Sequence, residues 1–492
     1  MLGVTSYLAT DVASVPLLWV VPLALYLITF VLAFSSWGDR TRALAAASLP
    51  LLALSLVLLL LTKIVVPFYL TIIVHLSVFT IASLNCHGEL AAERPPADTL
   101  TDFYLWMAVG GVVGGLFNSL IAPLIFTSIA EYPIVLTIAC ALMRPRGLRP
   151  PLRVSLMDLA VAAMIGVFTA GLLLSLLRLW IGPQFLIGGS VLAAVAAFTQ
   201  ARRPVRFALC VGAMLAAGVT VERLRADALH RERTFFGVYR VETDDTGSFR
   251  RLYHGTTLHG MQSLDPARRS EPLTYYTRSG PFGVAYSMLP SVTTTSRVAA
   301  VGLGAGTLSA YARGDQHWTF FEIDPAVERI ARTPAYFTYL ADCGERCTVV
   351  IGDARQSLTH TDSVYDLMVL DAFSSDAIPL HLLNREALRV YLGRLAPGGV
   401  LAFHISNRHL ALMPVLARLA ESEQLSARDW FDAVDAAPAT GKAPAEWLLM
   451  ARHDSDLGSL VRDARWIRPD VPPSTPLWTD DFTNIWSVLK RR

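Results

Sequence analysis

Three carboxylates stand at matching points in the second half of the chain, each closing a short apolar run. Glu322 ends "HWTFFE", Asp353 follows "CTVVIG" and Asp371 follows "YDLMVL". Upstream of all three, "VAAVGLGAGT" carries Gly302, Gly304 and Gly306. Glycines at alternate positions let a backbone approach a ligand closely. An acid about twenty residues after the first glycine has the spacing that holds a ribose diol, and Glu322 meets it. Asp353 could accept from an adenine amino group, and Asp371 stands near where a reacting centre would lie. Each acid alone reads equally well as a helix cap or a surface charge. Their joint placement at successive strand ends points to a nucleoside site.

Such a site needs a parallel sheet to position it. Strands are predicted at 298–302, 317–324, 347–354, 365–373 and 396–406, with a helix after the glycine loop and another opening at Pro325. This alternation implies a sheet covered on both faces, with ligands outside the carboxyl ends of its strands. Ahead of it, from about residue 234, apolar and polar residues alternate around "DDTG", a hairpin signal. Dehydrogenase loops read G-x-G-x-x-G, whereas position 307 is Thr. The "GDA" and "PGG" turns also fit S-adenosylmethionine-type folds better than dinucleotide folds.

The first part of the chain has a different texture. Of 492 residues, 53% are apolar and 17% charged, and the mean hydropathy is +0.44. These values point to an integral membrane protein, with charges sparse before about residue 200. Apolar segments near 14–35, 41–62, 64–85, 101–124, 127–143, 155–177, 182–199 and 205–221 predict seven or eight spans. No removable leader is expected. Arginine-rich loops at 144–153 and 201–206 are expected on the cytoplasmic side, together with the soluble half if 205–221 lies along the interface. Gly110 with Gly114 and Gly111 with Gly115 have the spacing of close helix packing. His75, Asn85, His87 and Glu89 are polar groups within or ending one span. The net charge of +2 gives no reason to expect nucleic acid. Cys343 and Cys347 are expected to be reduced and structural, with a disulfide as the minor alternative. His254, His259, His404 and His409 lack ligand spacing, so no metal is expected.

The motifs "VGLGAG", "FFEIDP", "VVIGDA", "YDLMVLDAF" and "LAPGGVLAFHIS" resemble the spermidine synthase family of aminopropyltransferases. With "VPLLWVVPLALYL", "CHGELAAERPP", "YHGTTLHGMQ" and "WTDDF", the chain most resembles the membrane-fused members. The resemblance implies a multi-span α-helical membrane domain (1–222), a small antiparallel β subdomain (234–296) and a Rossmann-like S-adenosylmethionine-type catalytic domain (297–492). It implies that Gln262, Glu322, Asp353 and Ala354 bind the nucleoside with the glycine loop. Tyr275 would contact the amine, and Asp371 would help deprotonate it. Asp376, Tyr276, Asp480 and Asp481 are further candidates for the acceptor side.

Two departures bear on the substrate. The family loop G-G-G-D-G has an aspartate where this chain has Ala305, and D-S-S-D becomes "DAFSSD". The expectation is an aminopropyltransferase-like enzyme in a bacterial inner membrane, with its catalytic domain cytoplasmic. It would use S-adenosylmethionine or its decarboxylated form, act on a small amine or polyamine, and release methylthioadenosine. Its partners would be the lipid bilayer and the amine, with a homodimer left open. Two alternatives stay open: an enzyme acting on intact S-adenosylmethionine (lyase, cyclase or methyltransferase), and a transporter or sensor without turnover.

Overall fold

Two patterns of apolar residues produce two units in the computed structural model, one formed by residues up to Asp227 and one by Ala228–Arg492. The structure describes residues 1–8, 19–64, 66–144, 153–179, 183–225, 228–372, 379–407, 410–433 and 440–490.

The first unit is helical. Among the described residues, five helices are long and apolar enough to cross a membrane: Gly38–Thr62, Tyr69–Ala92, Ala97–Ile125, Leu156–Ser175 and Pro204–Leu224. Val20–Ala33, Glu131–Ala141 and Gln184–Phe198 are apolar but shorter. Of the expected seven or eight spans, five are found as helices of spanning length among the described residues. The segment read as interfacial at 205–221 belongs to a helix of 21 residues. That length suffices for a crossing at 1.5 Å per residue. Its Arg206 binds the Asp158 carboxylate at 2.6 Å. Residues 145–152 of the other basic loop lie outside the described residues.

Three of the polar groups singled out in this unit have partners, whereas the buried Asn85 amide has no hydrogen bond among the described residues. His75 Nδ1 lies 2.9 Å from the Tyr132 hydroxyl, His87 Nδ1 lies 3.2 Å from Thr29 Oγ1, and Glu89 lies 3.4 Å from Arg144. The glycine face at 110–115 is not packed as expected. A Cβ on Gly110, Gly111, Gly114 or Gly115 would meet nothing within 4 Å among the described residues.

The second unit begins with a four-stranded antiparallel meander: β1 (Ala228–Arg233), β2 (Val238–Thr243), β3 (Phe249–His254) and β4 (Thr257–Ser263). The turn between β2 and β3 is closed by Asp244, whose Oδ1 accepts from the amides of Ser248 and Phe249, each at 2.8 Å.

The main sheet has seven strands: β5 (Arg297–Val301), β6 (His317–Glu322), β7 (Cys347–Ile351), β8 (Tyr365–Leu370), β9 (Leu395–His404), β10 (Ser426–Asp432) and β11 (Ala445–Ala451). Their order is β10-β11-β9-β8-β5-β6-β7. The first five run parallel, whereas β10 and β11 are antiparallel additions at one edge. The sheet is therefore mixed, which the five predicted strands do not reveal.

Side chains alternate between the faces as the strand period requires. Val298, Ala300, Trp318, Phe320, Leu367 and Val369 pack on one face with Tyr239, Val241 and Leu252 of the small sheet. Ala299, Val301, Phe321, Met368 and Leu370 pack on the other, against helices Ala354–His360, Arg385–Gly393 and Met413–Ser422.

The helix expected after the glycine loop is a short 3-10 helix, Thr307–Tyr311. The chain must re-enter β6 at His317, so little length remains for helical turns. Cys343 and Cys347 form a disulfide, not a reduced pair, with Cα atoms 5.8 Å apart. The short helix Tyr339–Cys343 and the turn at Gly344–Arg346 bring the two residues within bridging distance.

Candidate functional site

The order of the main sheet reverses at β5, which has β8 on one side and β6 on the other. Loops leaving strands at such a point diverge and leave a crevice. The crevice here is a cavity of about 260 Å³. It is lined by Gly302, Gly304, Glu322, Asp353, Ala354 and Asp371, among others.

Backbone geometry explains the glycines. Gly302 has φ +98°, and a Cβ there would lie 2.4 Å from the Asp371 carbonyl oxygen. Gly304 has φ +54°, and a Cβ would lie 2.6 Å from the His259 carbonyl oxygen. Any side chain would strain the backbone and collide with β4 or the end of β8. Gly306 has φ +79° and stands before the 3-10 helix, not among the lining residues.

Glu322 is buried where the glycine loop meets the end of β6. Its Oε2 accepts from the Leu303 amide at 3.0 Å and its Oε1 from the Asp324 amide at 2.9 Å. Burial pushes its carboxyl up to about 7, against the backbone hydrogen bonds, which favour the charged form. Each oxygen retains a lone pair, so the group can still receive two hydroxyls. Asp353 caps helix Ala354–His360 by accepting from the Gln356 amide at 2.8 Å. Its other oxygen lies 2.8 Å from His381 Nε2.

Asp371 is held differently. Its Oδ1 lies 2.6 Å from His404 Nδ1. Burial raises its carboxyl above the usual range, and the His404 imidazole opposes that shift. Tyr275 stacks on the same imidazole, with ring centroids 4.1 Å apart. Burial first, and the Asp371 carboxylate second, hold the Tyr275 hydroxyl well above its ordinary value.

Other predicted residues have partners away from the cavity. The Gln262 amide donates to the Arg269 carbonyl at 2.8 Å and accepts from the Thr338 amide at 2.9 Å. It thereby ties β4 to the segment before Tyr339. Tyr276 is a core residue, packed on Phe282 and Trp447. Asp480 forms a two-pronged ion pair with Arg355, both contacts 2.7 Å, while Asp481 is exposed. Asp376 and His409 lie outside the described residues.

The meander contributes lining that was not anticipated, namely Phe236, Tyr239, Leu252, His254 and His259. Burial keeps His254 below its ordinary range, although its contact with the Phe236 carbonyl favours the charged form. The sequence signal for this wall was the pair of histidines flanking the "GTTL" turn, weighed there only as metal ligands. Ala305 faces away from the cavity. It is 1% exposed, and Gly260 is so close that a Cβ on it would lie 2.4 Å from the Ala305 Cβ.

No protein-family model matches the chain. A polyamine aminopropyltransferase of Vibrio vulnificus (strain CMCP6) is 36% identical over 111 residues, covering 21% of this chain. The chain spans 36% of the length of that relative. The resemblance to spermidine synthases therefore holds over part of the chain. Among solved structures, a probable spermidine synthase from Corynebacterium glutamicum ATCC 13032 is 17% identical, with a TM-score of 0.36 over 46% of this chain and 79% of that one. Spermidine synthase from Thermotoga maritima is 13% identical, with a TM-score of 0.35 over 50% and 81%.

Proposed function

We propose that the α/β unit binds a sulfonium nucleoside, decarboxylated S-adenosylmethionine, and transfers its aminopropyl group to a small amine or polyamine. The convergence of Glu322, Asp353 and Asp371 with Gly302 and Gly304 around one cavity carries this reading. Partial identity to a polyamine aminopropyltransferase supports the reaction class. The residues fit the nucleoside, because Glu322 keeps acceptor capacity for a diol and a Cβ would fill the cradle at Gly302 and Gly304.

Bound there, the sulfonium supplies an activated carbon; the amine nitrogen bonds to it as the carbon–sulfur bond breaks, and methylthioadenosine leaves with the electron pair. Glu322 holds the ribose hydroxyls. Asp353 and Ala354 border the adenine. Asp371 takes the proton from the acceptor ammonium, which otherwise has no lone pair to attack with. The helical unit anchors the enzyme in the bacterial inner membrane, and nucleoside supply favours a cytoplasmic catalytic unit.

A second reading follows from the glycine loop, whose cavity-lining residues Gly302, Leu303 and Gly304 carry no carboxylate. A substrate carboxylate would meet no repulsion there, so intact S-adenosylmethionine is the alternative donor. Incubating the purified full-length protein with each donor, with and without putrescine, separates the two by mass spectrometry. Methylthioadenosine formed only with decarboxylated donor plus amine supports aminopropyl transfer. S-adenosylhomocysteine, or methylthioadenosine from the intact donor alone, replaces that reading with the second. Protease access in vesicles of known orientation tests the side of the membrane.

A further inference from the structure

We infer that His404 is the positioning residue of the site, donating from Nδ1 to keep Asp371 ionised and aimed, so that the base is a carboxylate–imidazole pair. This rests on the reading of Asp371 as the proton acceptor. The pair is built by strand register. Leu370 and Phe403 are partners across the parallel β8–β9 ladder, so the residues that follow them, Asp371 and His404, emerge side by side. Their side chains are 8% and 4% exposed, and Nδ1 lies 2.6 Å from Oδ1.

The imidazole is fixed on its faces and at both nitrogens. Tyr275 stacks on it at 4.1 Å and Trp447, its register partner on β11, at 4.9 Å. Nε2 lies 2.8 Å from Ser406 Oγ. That oxygen accepts from the Glu446 amide at 2.8 Å and keeps a proton that it can donate to Nε2. A hydroxyl donating to Nε2 places the ring proton on Nδ1, facing Asp371. With Oδ1 held, Oδ2 is the oxygen that receives the substrate proton.

The physical need for such a partner is visible in Glu322. It has backbone amides but no cation beside it, and burial brings it up to about 7. Burial raises Asp371 as well, and the His404 imidazole opposes that shift; a protonated acid cannot accept. The titratable and charged groups around the pair are Tyr275 and Tyr276 from the segment after the meander, Glu446 on β11, and Lys490 near the chain end, which acts on Glu446.

The test uses the full-length protein and three variants. His404→Phe keeps the aromatic sandwich without a donor, His404→Asn restores an N–H near the Nδ1 position, and Asp371→Asn removes the acceptor. Methylthioadenosine release is followed with decarboxylated donor and putrescine across pH. The Nδ1 proton is observed in the unliganded protein as a low-field resonance. For His404→Phe, kcat is expected to fall about 100-fold with KM within about threefold. The acidic limb of its pH profile moves upward by about one unit, the size of a lost hydrogen bond to a charged group. His404→Asn should recover most of kcat and return the limb.

Wild-type kcat and limb in His404→Phe overturn the inference and leave the transfer reading standing. So does a His404→Asn variant no better than His404→Phe, which would reduce the imidazole to packing. If the wild type releases no methylthioadenosine, the transfer reading fails, and the resonance decides the pair. Its loss in Asp371→Asn supports the pair; its absence from wild type, or survival in Asp371→Asn, overturns it. The resonance also serves if His404→Phe does not fold.

Discussion

The two units bury polarity in opposite ways. In the helical unit His75, His87 and Glu89 each meet a nearby partner, Tyr132, Thr29 and Arg144, while the buried Asn85 amide has none among the described residues. These contacts satisfy groups that an apolar surrounding would otherwise penalise. In the α/β unit, acids from three different strand ends line one cavity, and each is held by a different device. Glu322 has backbone amides, Asp353 a helix terminus and His381, and Asp371 an imidazole. Pairing in isolation is what stability alone requires. Burial raises the proton affinity of Glu322 and Asp371 and costs stability, which is the pattern expected where chemistry is done.

The sharpest way to break this contrast is Asp371→Asn. It should slow methylthioadenosine release by about 10²–10³-fold while donor affinity, measured by calorimetry, stays within about threefold. Unchanged turnover would mean that the cluster at the strand ends has no chemical role.

Glu322→Gln comes next. Both Glu322 oxygens accept backbone amides, so the new NH₂ would confront a donor and cost about 1–3 kcal/mol of stability. Nucleoside affinity should also drop, by about 10- to 100-fold. The wild type adds a pH signature. Its carboxyl titrates at about 7, and ribose hydroxyls donate to the ionised form. Below that pH, binding must first remove a proton, so affinity rises as pH increases through about 7 and then levels off. Calorimetry in buffers of different ionisation enthalpy would detect the released proton, and Glu322→Gln should abolish it.

A smaller effect is expected from the Cys343–Cys347 disulfide, which closes a very short loop. Replacing both cysteines with serine should lower stability by about 2 kcal/mol on the chain-entropy account, read as a shift in Tm. The smallest is His75→Phe in the helical unit. Losing one hydrogen bond to Tyr132 should cost about 0.5–1.5 kcal/mol in detergent, with donor turnover unchanged. A change in turnover would undo the division of labour between the units.

Much of the architecture was legible because it depends on local pattern. Apolar runs closed by an acid predicted β6 and β8, and "DDTG" predicted the turn between β2 and β3. The edge strands β10 and β11 were harder to read, because "SARDWFD" carries charges at positions that only the finished sheet buries. The disulfide was misjudged because a four-residue cysteine spacing bridges only when the intervening turn folds back. Most of the cavity's far wall, Phe236, Tyr239, His254 and His259, comes from a sheet whose docking no local pattern reveals.

By itself the sequence determined the split between an apolar helical part and an α/β part, the glycine loop, and acids at successive strand ends. Those follow from residue type and periodicity, which act over a few neighbours. Only the tertiary structure decided that Gln262 spends its amide on Thr338 and Arg269, that Ala305 faces Gly260, and that His404 stands beside Asp371. Those three outcomes depend on which strands become neighbours and in what register, and that is settled by packing between segments far apart in the chain.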